Sequence, residues 1–192
     1  MAGISQSMAG IMSDDPLGVW QMQMKEKVEP LALLAGGKAW PGSSIHPDWK
    51  KNASNAKWMV TDYDAVPGID IAADLHCLDT STEHRFDGIF CPYVLEHVER
   101  PWDVMKAMAK TLRKEGVLYV LTCQTFPLHY YPNDYFRFSK DALASMAVAA
   151  GLRPQAACYA RPCKVVPPPE TIGWYEPAEA FLDVSICAVQ HA

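Results

Sequence analysis

Along the chain, short apolar runs bounded by turn residues alternate with longer stretches of helical period. The clearest unit lies in the middle. Gly88 to Cys91 is a compact apolar run, preceded by Asp87 and stopped by Pro92. A run of that kind predicts a strand covered on both faces. Glu99 and Arg100 then precede Pro101. Proline suits the first helical position, because its missing N–H would have no partner there anyway. Apolar residues follow at Trp102, Met105, Met108 and Leu112, one face of a 3.6-residue period, so these four are the expected buried stripe. Lys110, Arg113 and Lys114 are placed in the last turn, where cations complement the helix dipole, and Gly116 closes the helix. A second strand is predicted over 116–122. Strand, helix and strand in that order predict a right-handed parallel crossover.

The flanks carry weaker signals. Residues 1–15 are small and polar without a sustained period and are expected to form a mobile arm, leaving 16–192 as a single domain. A helix is predicted over 16–28, starting at Pro16 and weakened by Gly18. Leu31 to Ala35 forms a first strand that runs into Gly36-Gly37. Turn residues dominate 38–57, with a single helical turn expected around 48–52. Strands are predicted over 58–61, ending at Asp62, and over 69–73, ending at Asp74. Tyr63 to Gly68 is too short a link for the helical crossover expected between parallel neighbours. Later, Ser139 reads as an N-cap for a helix with Leu143, Met146, Ala147 and Ala150 on one face, closed by Gly151. Two last strands are expected over 154–160 and 183–190, with 163–181 between them as an ordered, Pro-rich covering loop.

Composition narrows the picture. With 49% hydrophobic and 20% charged residues over 192 positions, the chain has ordinary globular character and length for one substantial core. The net charge of −5 and the lack of any Lys/Arg run longer than two argue against a nucleic-acid partner. The six cysteines form no CxxC and no metal-type cluster with histidine, so neither a disulfide framework nor a metal is expected. A reducing, cytoplasmic setting follows. No apolar run approaches membrane-spanning length, and the N-terminus has no basic segment leading an apolar one.

The stretch FDGIFCPYVLEHVERPWDVMKAMAKTLRKEGVLYV (86–120), and PNDYFRFSKDALASMAVAAGL (132–152) after it, resemble the class I S-adenosylmethionine-dependent methyltransferases. The quoted features are the acidic residue opening the fourth strand, the LEHV after it, the glycine turn into the fifth strand, and a segment similar to the family's "DYWRF(T/S)…L…AGF". The resemblance covers roughly residues 58–152. It implies a doubly wound α/β sandwich, Rossmann-like and mostly parallel, with one antiparallel strand near the C-terminus. It also implies an abbreviated loop at 63–68, S-adenosyl-L-methionine as cofactor, and a small-molecule or glycan-type acceptor. Where the family has an acidic residue followed by GxGxG, this chain has LLAGGKAWPG. That departure keeps a second reading in view, a catalytically silent binding or scaffold protein.

Site residues follow from strand ends. Gly36 and Gly37 are the expected cofactor turn, since glycine lets backbone approach a ligand closely. Asp62 ends the second strand and is placed on the ribose hydroxyls, with Asp64 as the fallback. By resemblance, Asp74 meets the adenine amino group, Leu75 supplies apolar contact to the ring, and Cys91 closes the edge facing the methionine part. His97 is expected to fix the loop rather than to catalyse. The segment 125–138 follows the fifth strand, where open α/β sheets bind substrates. Within it His129 is the candidate general base and Tyr135 a catalytic, substrate-bonding hydroxyl, with Tyr130 and Tyr131 walling the pocket. Asp134 and Arg137 are expected to pair and hold the loop.

Overall fold

The computed structural model describes residues 14–37, 46–129, 132–166, 168 and 178–191. Residues 1–13 of the expected arm, Tyr130, Tyr131 and most of the expected covering loop lie outside the described residues.

The first helix, α1 (Pro16–Lys25), begins where Asp15 accepts the Gly18 N–H at 2.9 Å. A Cβ at position 18 would stand 2.0 Å from that carboxylate. Gly18, which weakens the helix on propensity, is therefore what admits the cap. Strand β1 (Leu31–Ala35) follows, then a short helix α2 (His46–Trp49) running into a 3₁₀ turn, and β2 (Lys57–Asp62). Strand β3 is only Ile71–Ala72. It pairs parallel to β2 without a helical crossover. The link is closed by Asp70, whose N–H donates to Val60 O at 2.9 Å while its carboxylate accepts the Val60 N–H at 2.8 Å. A two-residue strand needs no long return.

The remaining elements are α3 (Leu78–Ser81), β4 (Phe86–Pro92), α4 (Pro101–Thr111), β5 (Leu112–Cys123), α5 (Lys140–Ala149), β6 (Leu152–Val165) and β7 (Ala178–Gln190). One seven-stranded sheet has the order β3-β2-β1-β4-β5-β7-β6. The first five strands are parallel, and β7 runs antiparallel to both of its neighbours. This is the expected mostly parallel architecture with one reversed strand near the C-terminus. The last two strands are longer than expected, because their ladder extends to Val165↔Ala178.

Period-two alternation divides the core between the two sheet faces. Leu33, Ile89, Leu118, Val120 and Ile186 pack beneath α3, α4 and α5, while Ala32, Leu34, Phe90, Tyr119 and Cys187 pack against α1 and the 46–53 turn. On the second face Trp20 is fully buried, donates to Val117 O at 3.3 Å and meets Phe90 edge-on at 5.2 Å.

Helix α4 corrects two expectations. Its buried positions are Pro101, Val104, Met105, Ala107, Met108, Ala109 and Thr111, whereas Trp102 is 43% exposed and meets Phe136 edge-on. The helix also stops at Thr111, with Leu112 already extended, so Arg113 and Lys114 stand in β5 and not in the last turn. Asp87 gives this corner its shape: it accepts the Leu31 N–H at 2.8 Å and pairs with Arg113 at 2.5 Å. All six cysteines are free thiols. No described helix is long and apolar enough to cross a membrane.

Candidate active site

Parallel strands leave their carboxyl ends along one edge, and ligand crevices form there. A cleft of about 1050 Å³ runs along that edge, at the upper end of ligand-pocket sizes, roughly 300–1,000 Å³. Residues following β1, β2 and β3 line one end, and residues following β4 and β5, with Arg161 of β6, line the other.

At the first end, Gly36 lines the cleft with φ +72, and a Cβ there would lie 2.3 Å from Val94 Cγ2. Only glycine fits both the left-handed backbone and the close approach. The N–H groups of Gly36 and Gly37 both donate to Thr61 O at 3.0 Å. They lock the turn to β2 instead of facing the cleft, and Gly37 is buried beneath it. Asp62 lines the cleft and accepts the Tyr63 N–H at 2.8 Å. Asp74 caps the following 3₁₀ turn: its Oδ1 accepts the His76 N–H at 2.9 Å and pairs with His76 Nδ1 at 2.6 Å. Burial pushes the Asp74 carboxyl up, but these bonds and the His76 ring outweigh it and hold the group below the ordinary range. Because Nδ1 donates to a carboxylate, His76 Nε2 is left as an acceptor, buried and without a partner. Sequence patterns gave no signal for His76. Leu75 is buried against the cleft wall. Cys91 is fully buried and does not line the cleft; burial, then the Glu96 charge, push its thiol far up.

The second end is held by bonds between distant parts of the chain. Glu96 is fully buried. Its carboxylate accepts Thr122 Oγ1–H at 2.7 Å and the Cys123 thiol at 3.4 Å, while its carbonyl accepts the N–H groups of Tyr135 and Phe136. Burial and the Glu96 charge push the Cys123 thiol up to about 12. His97 Nδ1 lies 2.5 Å from Asn133 O. A carbonyl only accepts, so Nδ1 carries the proton and His97 fixes the loop. His129 is arranged likewise: its backbone N–H donates to Asp134 at 2.9 Å, and Nδ1 lies 3.1 Å from Pro127 O and 3.6 Å from Asp134. Nε2 is thereby left with its lone pair. The two imidazoles meet edge to face at 4.9 Å.

Asp134 and Arg137 pair as expected, at 2.5 and 2.7 Å, and Arg137 also donates to the carbonyls of Phe126, Pro127 and Phe136. The Arg137 bonds hold the Asp134 carboxyl well below the usual carboxylate range. Tyr135 lines the cleft, half exposed. Across from it, Arg161 forks onto the buried Asp183 and donates to Tyr93 OH at 3.2 Å. Both Arg161 (φ 55) and Tyr93 (φ 53) are left-handed non-glycine residues, the kind of strain that gathers at binding sites. Nothing local in the sequence marks this trio.

Fold and cleft together define an α/β protein with a cleft at the carboxyl edge of a mostly parallel sheet that has one reversed strand. The family described as "Methyltransferase domain" matches over residues 44–120. Among solved structures, the chain resembles the 1,6-didemethyltoxoflavin-N1-methyltransferase of Burkholderia thailandensis, which holds 1,6-didemethyltoxoflavin and S-adenosylhomocysteine. That likeness has 15% identity, a TM-score of 0.60, and covers 92% of this chain and 77% of the other. It also resembles a SAM-dependent methyltransferase from Archaeoglobus fulgidus (13%, TM-score 0.58, 91% of each chain). A third is the N-methyltransferase NodS of Bradyrhizobium japonicum, in complex with S-adenosylhomocysteine (12%, 0.54, 90% and 84%). At these identities the structural likeness speaks for the fold. No curated protein matches the chain. The family match lies on β2 to β5 of this sheet, so the part of the chain that forms the middle of the sheet is similar to a methyltransferase domain, and over the rest the likeness is one of fold.

Proposed function

We propose that the protein transfers the methyl group of S-adenosylmethionine to a small-molecule or glycan-type acceptor, with the cofactor at the β1–β3 end of the cleft and the acceptor at the β4–β6 end. The observation that carries this reading is the cleft itself, large enough for two ligands and different in chemistry at its two ends. Asp62 accepts the ribose hydroxyls. Asp74, whose Oδ1 is held by His76, offers Oδ2 to the adenine amino group, and Leu75 covers the ring. Gly36 gives the backbone its close approach, while Gly37 and Cys91 act from beneath, as packing.

At the other end His129 Nε2 takes the proton of an acceptor hydroxyl or amine, and Tyr135 bonds the acceptor. The acceptor's electron pair forms the new bond to the methyl carbon. The carbon–sulfur bond breaks toward sulfur, leaving S-adenosylhomocysteine. Little more is required of the protein than alignment in a site that excludes water.

Calorimetric titration with S-adenosylmethionine and S-adenosylhomocysteine tests the first half. Saturable binding of both is expected, and no binding of either at millimolar concentration overturns the reading in favour of a silent scaffold. A panel of hydroxylated and amino acceptors, scored by mass for a gained methyl group, tests the second. On any acceptor that turns over, His129→Ala should lower turnover by about 10²–10⁴ with cofactor affinity retained.

A further inference from the structure

Glu96 sits in the turn after β4, Cys123 ends β5, and His129 lies in the loop beyond, yet one donor atom from each falls within 4.8 Å of the other two. The Glu96 carboxylate is fully buried, and its two side-chain partners, the Thr122 hydroxyl and the Cys123 thiol, are both neutral. Among the described residues no lysine or arginine pairs with it. The Arg137 guanidinium acts on it through space without a bond, so a divalent ion would give this buried carboxylate a directly bonded cation.

Carboxylate, thiolate and imidazole are the donor set of zinc, and the soft sulfur disfavours magnesium and calcium. Bonds of roughly 2.0–2.3 Å to a tetrahedral ion place two ligand atoms roughly 3.5 Å apart. Glu96 and Cys123 already stand at 3.4 Å, so the site closes by a small movement of the His129 loop. Metal ligands are normally oriented by an outer partner. Here Thr122 holds the second Glu96 oxygen, and Pro127 O holds His129 Nδ1, leaving Nε2 its lone pair. Cys123 and His129 both line the cleft, so a fourth position would open into it, as in sites with three protein ligands.

We propose that Glu96, Cys123 and His129 bind one zinc-like divalent ion, and that the ion switches methyl transfer off by occupying the lone pair of His129. On binding, the Cys123 thiol proton leaves to solvent, and thiolate and carboxylate together balance the two positive charges. The imidazole nitrogen that bonds the ion is then unable to accept the acceptor's proton. The ion site stands on the geometry alone, whereas the switch rests on His129 being the base.

Cobalt(II), a spectroscopic stand-in for zinc, tests the site in the full-length chain. The expected result is one cobalt per chain with a near-ultraviolet thiolate-to-cobalt charge-transfer band, displaced by zinc and lost in Cys123→Ser. Thr122→Val removes only the outer partner and should lower cobalt affinity about 10–100-fold, with S-adenosylhomocysteine binding by calorimetry showing that each variant is folded. Absence of the band in the wild-type chain overturns the proposal. So does a band that survives Cys123→Ser and disappears in Cys77→Ser, because Cys77 is an exposed thiol. Cobalt binding without cofactor binding keeps the ion site and sinks the methyl-transfer reading, and the converse sinks the ion site alone. Zinc that binds yet leaves wild-type turnover unchanged overturns the switch.

Discussion

The two ends of the cleft are built by different means. At the β1–β3 end each carboxylate has a neighbour along the chain, Asp62 accepting the N–H of the next residue and Asp74 those of the second residue on, while the Gly36 and Gly37 N–H groups cross to Thr61 O. At the β4–β6 end the polar contacts span the chain, from Glu96 to Thr122, from His97 to Asn133, and from Arg161 to Tyr93, which stands 68 residues away. A local bond fixes a carboxylate with little else in place, so the Asp62 and Asp74 side chains should survive changes elsewhere. A long-range network exists only once the sheet has brought its strands together, so that end should report on global folding. Cofactor binding and stability are therefore expected to respond to different residues.

The largest effect expected at the β4–β6 end belongs to Asp134, whose bonds are short in sequence yet buried in the loop that the long-range network carries. Its side chain is fully buried against Arg137 and the His129 N–H. Asp134→Ala should cost about 3 kcal/mol, the low end for opening a buried pair, because Arg137 keeps some access to water. Chemical denaturation measures this. The pH sign follows from the depressed carboxyl, held low by the Arg137 bonds. Its contribution is complete above the ordinary aspartate value of about 3.9 and is lost as pH falls below it. The wild-type chain should lose stability on acidification that Asp134→Ala does not lose. Equal acid sensitivity of the two would show that Asp134 is not the group responsible.

Asp62→Ala sharpens the comparison from the other side. It should weaken S-adenosylhomocysteine binding by about 1.5–3 kcal/mol, the range for hydrogen bonds to a charged group, with a denaturation midpoint close to wild type. A large loss of stability here would mean that the Asp62 side chain holds the fold as well as the proposed ribose.

The same contrast explains what was legible in the sequence. Strands bounded by proline, glycine and aspartate, such as 31–35 and 86–92, announce themselves locally, and so do the caps at Ser139 and Gly151. The carboxylates that end strands were placed by the same logic. The stripe on α4 differs from its expected one because the period admits two faces. Val104, two residues past Trp102, turns inward together with Met105 and Met108, and Trp102 is left at the edge beside Phe136. Glu96 with Cys123, and Arg161 with Asp183 and Tyr93, had no sequence signal, since no spacing rule links residues joined only by strand order. The glycine pair announces a turn locally, but the direction of its N–H groups, toward Thr61 O, comes from a strand pairing that no local pattern shows.

Gly36→Ala probes that turn with a smaller expected effect. A left-handed backbone costs a non-glycine residue roughly 1–2 kcal/mol, and the new Cβ would also meet Val94 Cγ2. Thermal denaturation should show a loss of about that size or slightly more. Adding Val94→Ala should return the steric part and leave the backbone part. If the double variant is no better than the single one, contact with Val94 is not what demands glycine.

The smallest effect is expected at Tyr135, where the two ends are most clearly separable. Its backbone N–H is bound to Glu96 O at 2.7 Å, so the residue's place in the loop does not depend on its hydroxyl. The ring is half exposed at the cleft, and its centroid lies 6.3 Å from that of Phe136. Tyr135→Phe keeps this backbone bond and ring contact while deleting the oxygen. Stability should then stay within about 0.5 kcal/mol of wild type, as for surface changes generally, and S-adenosylhomocysteine affinity should be unaltered. Acceptor use should fall about 2–10-fold, equivalent to one neutral hydrogen bond of about 0.5–1.5 kcal/mol. A change in cofactor affinity instead would place Tyr135 on the adenosine side and dissolve the division between the two ends at the one residue that ought to show it most plainly.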